Sequence, residues 1–480
     1  MSNEEQGVVG IVGAGLVGAL NAIYFAQRGW KVELYELRPD MRLPVHRESR
    51  RGKSINLALS ERGLSALRAT GLDLEKTILE ASVPMKARMV HINGTQMSQA
   101  YSVNGKHINA VDRARLNELL LDAAEEMKNV TVHFEHRLLQ ADMDNNNLEF
   151  MVANEEKRVY HHDLVIGADG AYSKMRSQMM RRMRMDYNQE YIDTGYCELS
   201  MPPATGPDGK PTFALDPNHL HIWPRHTFML IALPNPDYSF TCTLFMPFQM
   251  FEDIKTEEQL IQFFTENFLD SIPLIGEESL KKDFFANPRG SLVTVKASPH
   301  NYEDKSLIIG DAAHAMVPFY GQGMNCGFQD VEVLHQILDR HHIKPVSKSN
   351  RIEGLKEALD DYSKTRVKDA HAICDLALYN YYEMSHAVTS IKFLARKKLE
   401  GVIHYWFPSI IIPLYTMVSF STLPYSRAIE RWHRQSHWLN VAMISTTLAT
   451  ASLVASVGFK YRDQFLPTVR SAIDTMKHLF

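Results

Sequence analysis

The 480-residue sequence predicts an α/β fold in which parallel βαβ units are interrupted by an antiparallel sheet and followed by helices. The apolar run Gly7–Val12 reads as a buried strand and is followed by a glycine-rich turn. Apolar residues at helical spacing over Leu16–Arg28 and a second strand over Val32–Glu36 complete one βαβ unit. From about 190 to 300, prolines, aromatics and short alternating runs are typical of antiparallel strands. From about 323 to 435 the pattern is helical.

Two apolar segments lie near the end of the sequence. Segment 439–458 holds no charged residue, and a helix of about 20 residues would span roughly 30 Å, the thickness of a hydrocarbon core. We therefore expect a transmembrane helix there, with a buried helix as the alternative. Segment 402–420 is interrupted by Pro408 and Pro413, which favours a non-spanning structure.

Composition excludes several classes of protein. A formal net charge of -4 disfavours a nucleic-acid partner. The N-terminus is acidic and has no apolar run of the signal-peptide kind, so we expect neither a secretory signal nor a mitochondrial transit peptide. The cysteines form no CxxC pair, so we expect no metal site and no disulfide framework; they are Cys197, Cys242, Cys326 and Cys374.

The turn after the first strand carries a GxGxxG motif. It reads Gly13, Ala14, Gly15, Leu16, Val17 and Gly18. Gly13 permits a tight turn, Gly15 lets a pyrophosphate approach the backbone, and Gly18 lets helix and strand pack closely. The helix N-terminus stabilises phosphate charge. Glu36, at the end of the next strand, is expected to bind an adenosine ribose, which favours FAD or NAD over NADPH at this site.

Two further turns carry a carboxylate directly after a strand. In Leu164–Gly170 an Asp-Gly turn contains Asp169, and in Leu307–His314 a Gly-Asp turn contains Asp311. Together with the first turn they resemble the group A flavoprotein hydroxylases of the para-hydroxybenzoate hydroxylase superfamily. The resemblance implies that Asp169 lies near the pyrophosphate and the reductant and that Asp311 holds the ribityl chain. It also implies that the helix after 321–325 points its N-terminus at the flavin pyrimidine, where it would stabilise negative charge.

The likeness and the residue patterns together predict a Rossmann-like FAD-binding domain with an inserted antiparallel substrate domain and C-terminal helices, and the uncharged segment 439–458 adds a C-terminal transmembrane helix to this prediction. The predicted FAD-binding parts are 1–76, 108–190 and 301–345, the substrate parts are 77–107 and 191–300, the helical region is 346–435 and the anchor is 439–458. Besides the motif residues and carboxylates above, the cofactor-binding residues it implies are Arg38, Arg113, Leu138, Pro318, Gly321, Gly323, Met324 and Asn325. Arg115 is an alternative to Arg113.

Other stretches resemble one family within that superfamily, the kynurenine 3-monooxygenases. The stretches are Ser54–Gly63, His219–Arg225, Phe240–Pro247 and Gly310–Asn325, and the likeness covers about residues 7 to 435. It implies a substrate site in which a guanidinium pairs with a carboxylate while phenols and an amide complete the shell. The implied substrate-binding residues are Arg88, Tyr101, Asn380, Glu383 and Tyr415, with Phe319 and Tyr320 walling the pocket. His314 is expected to be structural.

The resemblance also implies an activity. Tightly bound FAD, reduced by transiently bound NADPH, would react with O₂ and hydroxylate L-kynurenine to 3-hydroxy-L-kynurenine through a flavin C4a-hydroperoxide, a step of tryptophan degradation. No second strand–GxGxxG–helix unit offers NADPH a domain of its own. Because the substrate amine already donates electrons to the ring, we assign no catalytic acid or base. The alternatives are a group A hydroxylase acting on another aromatic substrate and a non-enzymatic protein of the same fold.

The family likeness extends to location. Animal members lie on the mitochondrial outer membrane with the catalytic part facing the cytosol. An anchor of modest hydrophobicity at 439–458 fits that membrane, and the endoplasmic reticulum is the alternative.

Overall fold

A computed structural model describes residues 5–45, 56–92, 94–102, 104–153, 156–347, 351–385 and 391–460. The chain divides into two compact units, Met1–Ser426 and Arg427–Phe480. The beginning of the predicted motif Ser54–Gly63 lies outside the described residues.

A six-stranded sheet, called here the central sheet, forms the core of the first unit. Its strands lie in the order Asn301–Tyr302, Ser306–Ile308, Leu164–Gly167, Val8–Val12, Lys31–Tyr35 and Val130–His133. All neighbours pair in parallel except the first two. Because the carboxyl ends of parallel strands meet at one edge, the turns after Val12, Gly167 and Ile308 come together. The predicted α/β fold class is confirmed.

Helices Leu16–Gln27, Arg113–Glu125 and Gly323–Arg340 share an apolar core with this sheet. Helix Leu16–Gln27 is buried along almost its whole length, and Gly29, with φ of +82°, ends it as predicted. The other helices that lie within the described residues are Glu61–Ala69, Leu74–Glu80, Arg113–Glu125, Lys174–Met179, Phe248–Asp253, Glu257–Asn267, Ile272–Ile275, Glu277–Ala286, Asp311–His314, Gly323–Arg340, Leu355–Ser385, Ile391–Trp406, Leu414–Ser419 and Tyr425–Lys460. Short 3₁₀ turns span Leu269–Ser271 and Pro318–Tyr320.

A seven-stranded sheet, called here the pocket sheet, contains the antiparallel strands predicted between 190 and 300. Its order is Gly290–Ser298, Asp186–Met201, Phe240–Pro247, Phe228–Pro234, His219–Arg225, Ala87–Ile92 and Thr95–Ala100. Strand Ala87–Ile92 comes from the first third of the chain and pairs in parallel with His219–Arg225. One face packs on the helices between 248 and 286, and the other turns towards the central-sheet turns.

Smaller strand groups complete the first unit. They are Arg137–Asp142 with Asn147–Val152 and Glu156–His161, Leu57–Leu59 with Ile108–Val111 and Val83–Met85, Glu5–Gln6 with Val346–Ser347, and Ala204–Thr205 with Pro211–Thr212. The domain boundaries given above stay predictions.

The C-terminal apolar segments are helical in part. Segment 402–420 contains the end of Ile391–Trp406, a break, and Leu414–Ser419, which starts after Pro413. Segment 439–458 lies within helix Tyr425–Lys460. By length and hydropathy, none of the helices over the described residues qualifies as a bilayer span. The anchor at 439–458 therefore stays a prediction.

Candidate active site

One cavity of about 900 Å³ lies between the central-sheet turns and the pocket sheet. Its volume is within the range of small-molecule and cofactor sites, roughly 300–1,000 Å³. The predicted cofactor residues that line it are Gly13, Gly15, Leu16, Val17, Glu36, Arg38, Arg113, Leu138, Asp169, Asp311, Pro318, Gly321, Gly323 and Met324. The predicted substrate residues that line it are Arg88, Phe319, Tyr320 and Tyr415. Gly18, Asn325, Tyr101, Asn380 and Glu383 do not line it.

The turn Gly13–Gly18, called here the nucleotide turn, depends on three glycines for three different reasons. Gly13 has φ of +101°, and a Cβ there would lie 2.4 Å from the Ala168 carbonyl oxygen. A Cβ on Gly18 would lie 1.9 Å from the Gly13 carbonyl oxygen. A Cβ on Gly15 would meet nothing within 4 Å, because this residue faces the cavity. This division of roles is what a pyrophosphate-binding turn requires.

Glu36 joins two backbone segments at the rim of the cavity. Its carboxylate accepts the Ala14 N–H at 3.0 Å and the Arg38 N–H at 3.1 Å. The carboxylate is thereby held beside the nucleotide turn, where the ribose of a bound dinucleotide would lie.

The two carboxylates predicted on the later turns have different environments. Asp169 accepts hydrogen bonds from Ser173 Oγ at 2.6 Å, the Lys174 N–H at 2.7 Å and the Met175 N–H at 3.0 Å. It fixes the start of the next helix, and burial raises its pKa while these bonds oppose the rise. Asp311, by contrast, is exposed at the cavity wall. Of the two, Asp311 is the one placed to accept hydrogen bonds from a ligand.

The N-terminus of helix Gly323–Arg340 opens onto the cavity through Gly321, Gly323 and Met324. Asn325, predicted to bind the cofactor, is fully buried instead. Its amide donates to the Ala58 and Gly321 carbonyls at 2.7 and 2.8 Å, and its Oδ1 accepts the Ser60 N–H at 2.9 Å. It holds the turn in place and does not line the cavity, and its binding of the cofactor stays a prediction.

Behind this turn lies a buried ionic cluster. Asp330 accepts from His314 at 2.5 Å, from the Gly310 N–H at 3.1 Å and from Arg366 at 2.9 Å. His314, Cys326 and Asp330 lie close enough to hold a metal ion, but the adjacent guanidinium of Arg366 already neutralises the carboxylate. The cluster supports the Gly310 turn, which agrees with a structural role for His314.

The opposite end of the cavity is built around Arg88. Its side chain is buried, with a residue exposure of 4%, and its Nη1 lies 3.3 Å from Glu383 Oε1. Its guanidinium lies 5.0 Å from the ring centre of Tyr415 and 5.8 Å from that of Tyr101. Within the described residues, Arg88 Nε has no hydrogen-bond partner, and the Tyr101 hydroxyl interacts with Arg88 and Tyr415. A buried donor without a partner is rare, and this one lies where an anionic ligand group would be bound.

Three tyrosines order this end of the cavity. The rings of Tyr101 and Tyr415 stack at 5.1 Å, and those of Tyr415 and Tyr320 stack at 5.8 Å. Tyr101 and Glu383 lie behind the lining residues and contact Arg88 from there.

Asn380 does not line the cavity but contacts Phe319, which does. It is buried in helix Leu355–Ser385, and its amide donates to the Phe319 carbonyl at 2.6 Å. It therefore positions the Pro318–Tyr320 turn. Its direct contact with substrate stays a prediction.

The apolar wall was not predicted residue by residue. It is formed by Ile108, Leu220, Ile231, Leu233, Phe245, Met316 and Met384. Strand alternation in His219–Arg225 and Phe240–Pro247 could have identified Leu220 and Phe245, because every second side chain of a strand faces the same way. Met384 gives no comparable local signal.

The cavity residues fit a flavin adenine dinucleotide. The open space at Gly15, the carboxylates Glu36 and Asp311 and the helix N-terminus at Gly323 supply sites for pyrophosphate, ribose, ribityl chain and anionic ring edge.

Comparisons with known proteins agree with this geometry. Residues 6–377 match the family model described as an FAD binding domain. A kynurenine 3-monooxygenase of Candida albicans is 46% identical, over 92% of this chain and 94% of that protein. One of Sus scrofa is 40% identical, over 99% of this chain and 96% of that protein. The chain belongs to the kynurenine 3-monooxygenase family. The predicted family and the predicted FAD cofactor are thus confirmed, and NADPH as reductant is consistent with the family.

Solved structures similar to this member of the kynurenine 3-monooxygenase family show the fold. The tetrameric form of 2-methyl-3-hydroxypyridine-5-carboxylic acid oxygenase has a TM-score of 0.63 at 20% identity, over 80% of this chain and 94% of that chain. PqsL of P. aeruginosa in complex with 2-aminobenzoylacetate has a TM-score of 0.60 at 19% identity, over 80% of this chain and 97% of that chain.

Proposed function

We propose that this protein hydroxylates L-kynurenine to 3-hydroxy-L-kynurenine with FAD, NADPH and O₂. One oxygen atom of O₂ is inserted into the ring C–H bond ortho to the amine, and the other is reduced to water, with the two electrons supplied by NADPH together with one proton. The observation that carries the proposal is the buried, incompletely hydrogen-bonded Arg88 at one end of a cavity whose other end is the nucleotide turn.

At the cofactor end, this chain supplies binding and charge. The nucleotide turn and the helix behind it hold the pyrophosphate, Glu36 the ribose and Asp311 the ribityl hydroxyls. When bound, FAD accepts hydride from NADPH and activates O₂. The N-terminus of helix Gly323–Arg340 stabilises the negative charge of the reduced ring.

At the substrate end, Arg88 pairs with the amino-acid carboxylate, and the hydroxyls of Tyr101 and Tyr415 complete its shell. The apolar wall, including Leu220 and Phe245, orients the aromatic ring and excludes water from the reacting carbon. Positioning and a dry pocket are the contributions of the protein, since the substrate amine itself activates the ring.

The test measures NADPH and O₂ consumption by FAD-loaded protein, with and without L-kynurenine, and identifies the product by mass. We expect L-kynurenine to accelerate both and the product to gain one oxygen atom on the ring. Kynuramine, which lacks the carboxylate, is the matched control and should be a poor substrate. A chain that takes up no FAD, or that hydroxylates phenols or salicylate in preference to L-kynurenine, would contradict the proposal.

We also propose that helix Tyr425–Lys460 attaches the protein to a membrane, the mitochondrial outer membrane, with the catalytic unit facing the cytosol. The support is the uncharged stretch 439–458 and its exposed apolar side chains, among them Ile444, Leu448 and Leu453. The family likeness adds the choice of membrane.

Cell fractionation tests this attachment. The variant Leu448→Asn with Leu453→Asn should leave the membrane fraction, whereas Val159→Asn, at an exposed valine of the first unit, should remain in it. Equal distribution of both variants, or a wild-type protein found in the supernatant, would contradict attachment by this helix.

A further inference from the structure

The sequence motif Ser54–Gly63 contains a charged residue that the proposed function does not use. Arg62 lies in the first turn of helix Glu61–Ala69 and is fully buried, with an exposure of 0%. The arginine side chain is always charged in proteins, and a buried charge is costly unless polar groups surround it. The groups that surround Arg62 therefore decide its role.

The guanidinium of Arg62 binds the backbone of a segment near the end of the first unit. Its Nε donates to the Val418 carbonyl at 2.8 Å, and its Nη2 donates to the Met417 carbonyl at 3.3 Å. The same Nη2 also donates to the Leu423 carbonyl. Met417 and Val418 lie near the end of helix Leu414–Ser419, where the last carbonyls have no partner within a helix. Arg62 thus fixes the position of this helix.

Two further groups complete the surroundings of Arg62. Its Nη1 donates to Gln329 Oε1 at 2.9 Å, and its guanidinium lies 3.8 Å from the ring centre of Tyr425. Gln329 belongs to helix Gly323–Arg340, and its own amide donates to the Thr422 carbonyl at 3.2 Å. In the described part of the chain, these hydrogen bonds of Arg62 all end on uncharged oxygen atoms. The side chain therefore holds a segment of backbone and does not pair with a carboxylate.

The segment that Arg62 holds carries Tyr415, a residue of the substrate end. Tyr415 lies in the first turn of helix Leu414–Ser419 and lines the cavity. Its ring centre lies 5.0 Å from the Arg88 guanidinium, and its ring stacks on that of Tyr101 at 5.1 Å. A shift of this short helix would therefore move the Tyr415 hydroxyl relative to Arg88.

The same motif is fixed to the cofactor end of the cavity by Asn325. The Oδ1 of Asn325 accepts the Ser60 N–H at 2.9 Å, and its amide donates to the Ala58 carbonyl at 2.7 Å. A Cβ on Gly63 would lie 2.7 Å from Asn325 Oδ1, so the two segments are in close contact. The motif thus contacts the cofactor end at these residues and the substrate end through Arg62.

We propose that Arg62 is a positioning residue for the hydroxylation, and that it sets the place of the Tyr415 hydroxyl, and with it the substrate carboxylate, relative to the flavin. The inference rests on the proposed function, because it needs L-kynurenine at the Arg88 end of the cavity. Arg62 does not line the cavity, so it acts through helix Leu414–Ser419. A misplaced substrate leaves its ring carbon out of reach of the activated oxygen. The hydride of NADPH and one solvent proton then reduce O₂ to H₂O₂ without hydroxylation.

The experiment compares the wild type, Arg62→Lys and Arg68→Lys as FAD-loaded proteins. Lysine keeps the charge of Arg62 but loses the planar fork of donors that reaches several carbonyls at once. Arg68 is an exposed arginine on the same helix and is the matched control. For each protein, kcat and KM are measured with L-kynurenine and with kynuramine, and the H₂O₂ formed is compared with the NADPH consumed.

The R62K protein should discriminate less between the two substrates. The ratio of kcat/KM for L-kynurenine to that for kynuramine should fall about tenfold, because kynuramine has no carboxylate to be placed. The share of NADPH electrons recovered as H₂O₂ should rise, and the FAD dissociation constant should change by less than about twofold. R68K should match the wild type in each of these measurements.

An R62K protein that loses stability but keeps the wild-type ratio would overturn the proposal, because Arg62 would then serve the fold alone. Should R62K not fold, Tyr425→Leu and Tyr425→Phe give the second test. Leucine removes the ring that lies against the guanidinium, whereas phenylalanine removes only the hydroxyl and its hydrogen bond to Gln322 at 3.0 Å. The ratio must fall further in Y425L than in Y425F, and equal ratios would overturn the proposal. A wild-type protein that does not hydroxylate L-kynurenine contradicts the proposed function instead.

Discussion

The two ends of the cavity differ in the groups that form them, which are backbone at one end and side chains at the other. At the cofactor end the contacts come from backbone, and Gly13, Gly15 and Gly18 are needed for the space they leave. At the substrate end, Arg88 and Tyr415 come from segments more than 300 residues apart and meet only in the folded chain. A site built from one local turn can be recognised by spacing alone, whereas a site built from distant side chains cannot.

The largest effect is expected from Gly18→Ala at the cofactor end. A Cβ 1.9 Å from the Gly13 carbonyl oxygen forces the turn apart, so we expect a loss of more than about 3 kcal/mol in the free energy of unfolding and no FAD uptake. Urea unfolding and flavin absorbance measure both. Gly15→Ala is the matched control.

The Gly15→Ala protein should unfold like the wild type, because its Cβ meets no atom within 4 Å, but it should bind FAD more weakly. If both variants lose the same stability, the division between a packing glycine and a ligand-facing glycine is wrong.

At the substrate end, Arg88→Ala should lower kcat/KM for L-kynurenine by about 10²- to 10³-fold, roughly 3–4 kcal/mol, because a buried charge pair with the carboxylate is lost. FAD should remain bound, as measured by flavin absorbance. Steady-state kinetics measures the fall in kcat/KM, with the exposed Arg158→Ala protein as control. An unchanged KM in R88A would remove Arg88 from the carboxylate site.

Glu198 is buried on strand Asp186–Met201 of the pocket sheet, and Glu198→Gln should alter how stability depends on pH. A folded pKa of about 7 against an unfolded value of roughly 4.3 means that the folded state binds more protons in this window. Wild-type stability is therefore lost as pH rises from about 4.3 to about 7 and changes no further above it. Relative to the wild type, E198Q should gain about 2 kcal/mol at pH 8 and nothing near pH 4. Urea unfolding of the apoprotein measures this, and parallel pH profiles would contradict it.

The smallest effect is expected from Tyr101→Phe. The Tyr101 hydroxyl is buried beside Arg88 and Tyr415, so its removal should lower the free energy of unfolding by no more than about 1 kcal/mol. It should raise the KM for L-kynurenine about 3- to 10-fold, the value of one hydrogen bond of about 1 kcal/mol. A loss of stability without a change in KM would show that the hydroxyl serves the fold rather than the ligand.

Local patterns predicted the βαβ unit, the nucleotide turn and the carboxylates at the strand ends, because each is decided by neighbours in sequence. The family likeness added Arg88 and Tyr415, which no spacing could have placed together. The amides of Asn325 and Asn380 donate to backbone carbonyls behind the cavity, and contact of either residue with a ligand stays a prediction. These hydrogen bonds depend on side-chain direction in the packed structure, which residue type does not encode.

Glu198 was missed for a related reason. A glutamate on a strand usually marks a solvent-exposed face, and only the seven-stranded sheet buries it beside the cavity. Neither its burial nor the lack of a hydrogen-bond donor to Oε2 among the described residues can be read from sequence.

The most direct test of this account is a crystal structure of the protein with both FAD and L-kynurenine bound. The account predicts one chamber, with the FAD pyrophosphate at the nucleotide turn and the kynurenine carboxylate on the Arg88 guanidinium. A flavin bound elsewhere, or a kynurenine carboxylate that makes no contact with Arg88, would contradict it.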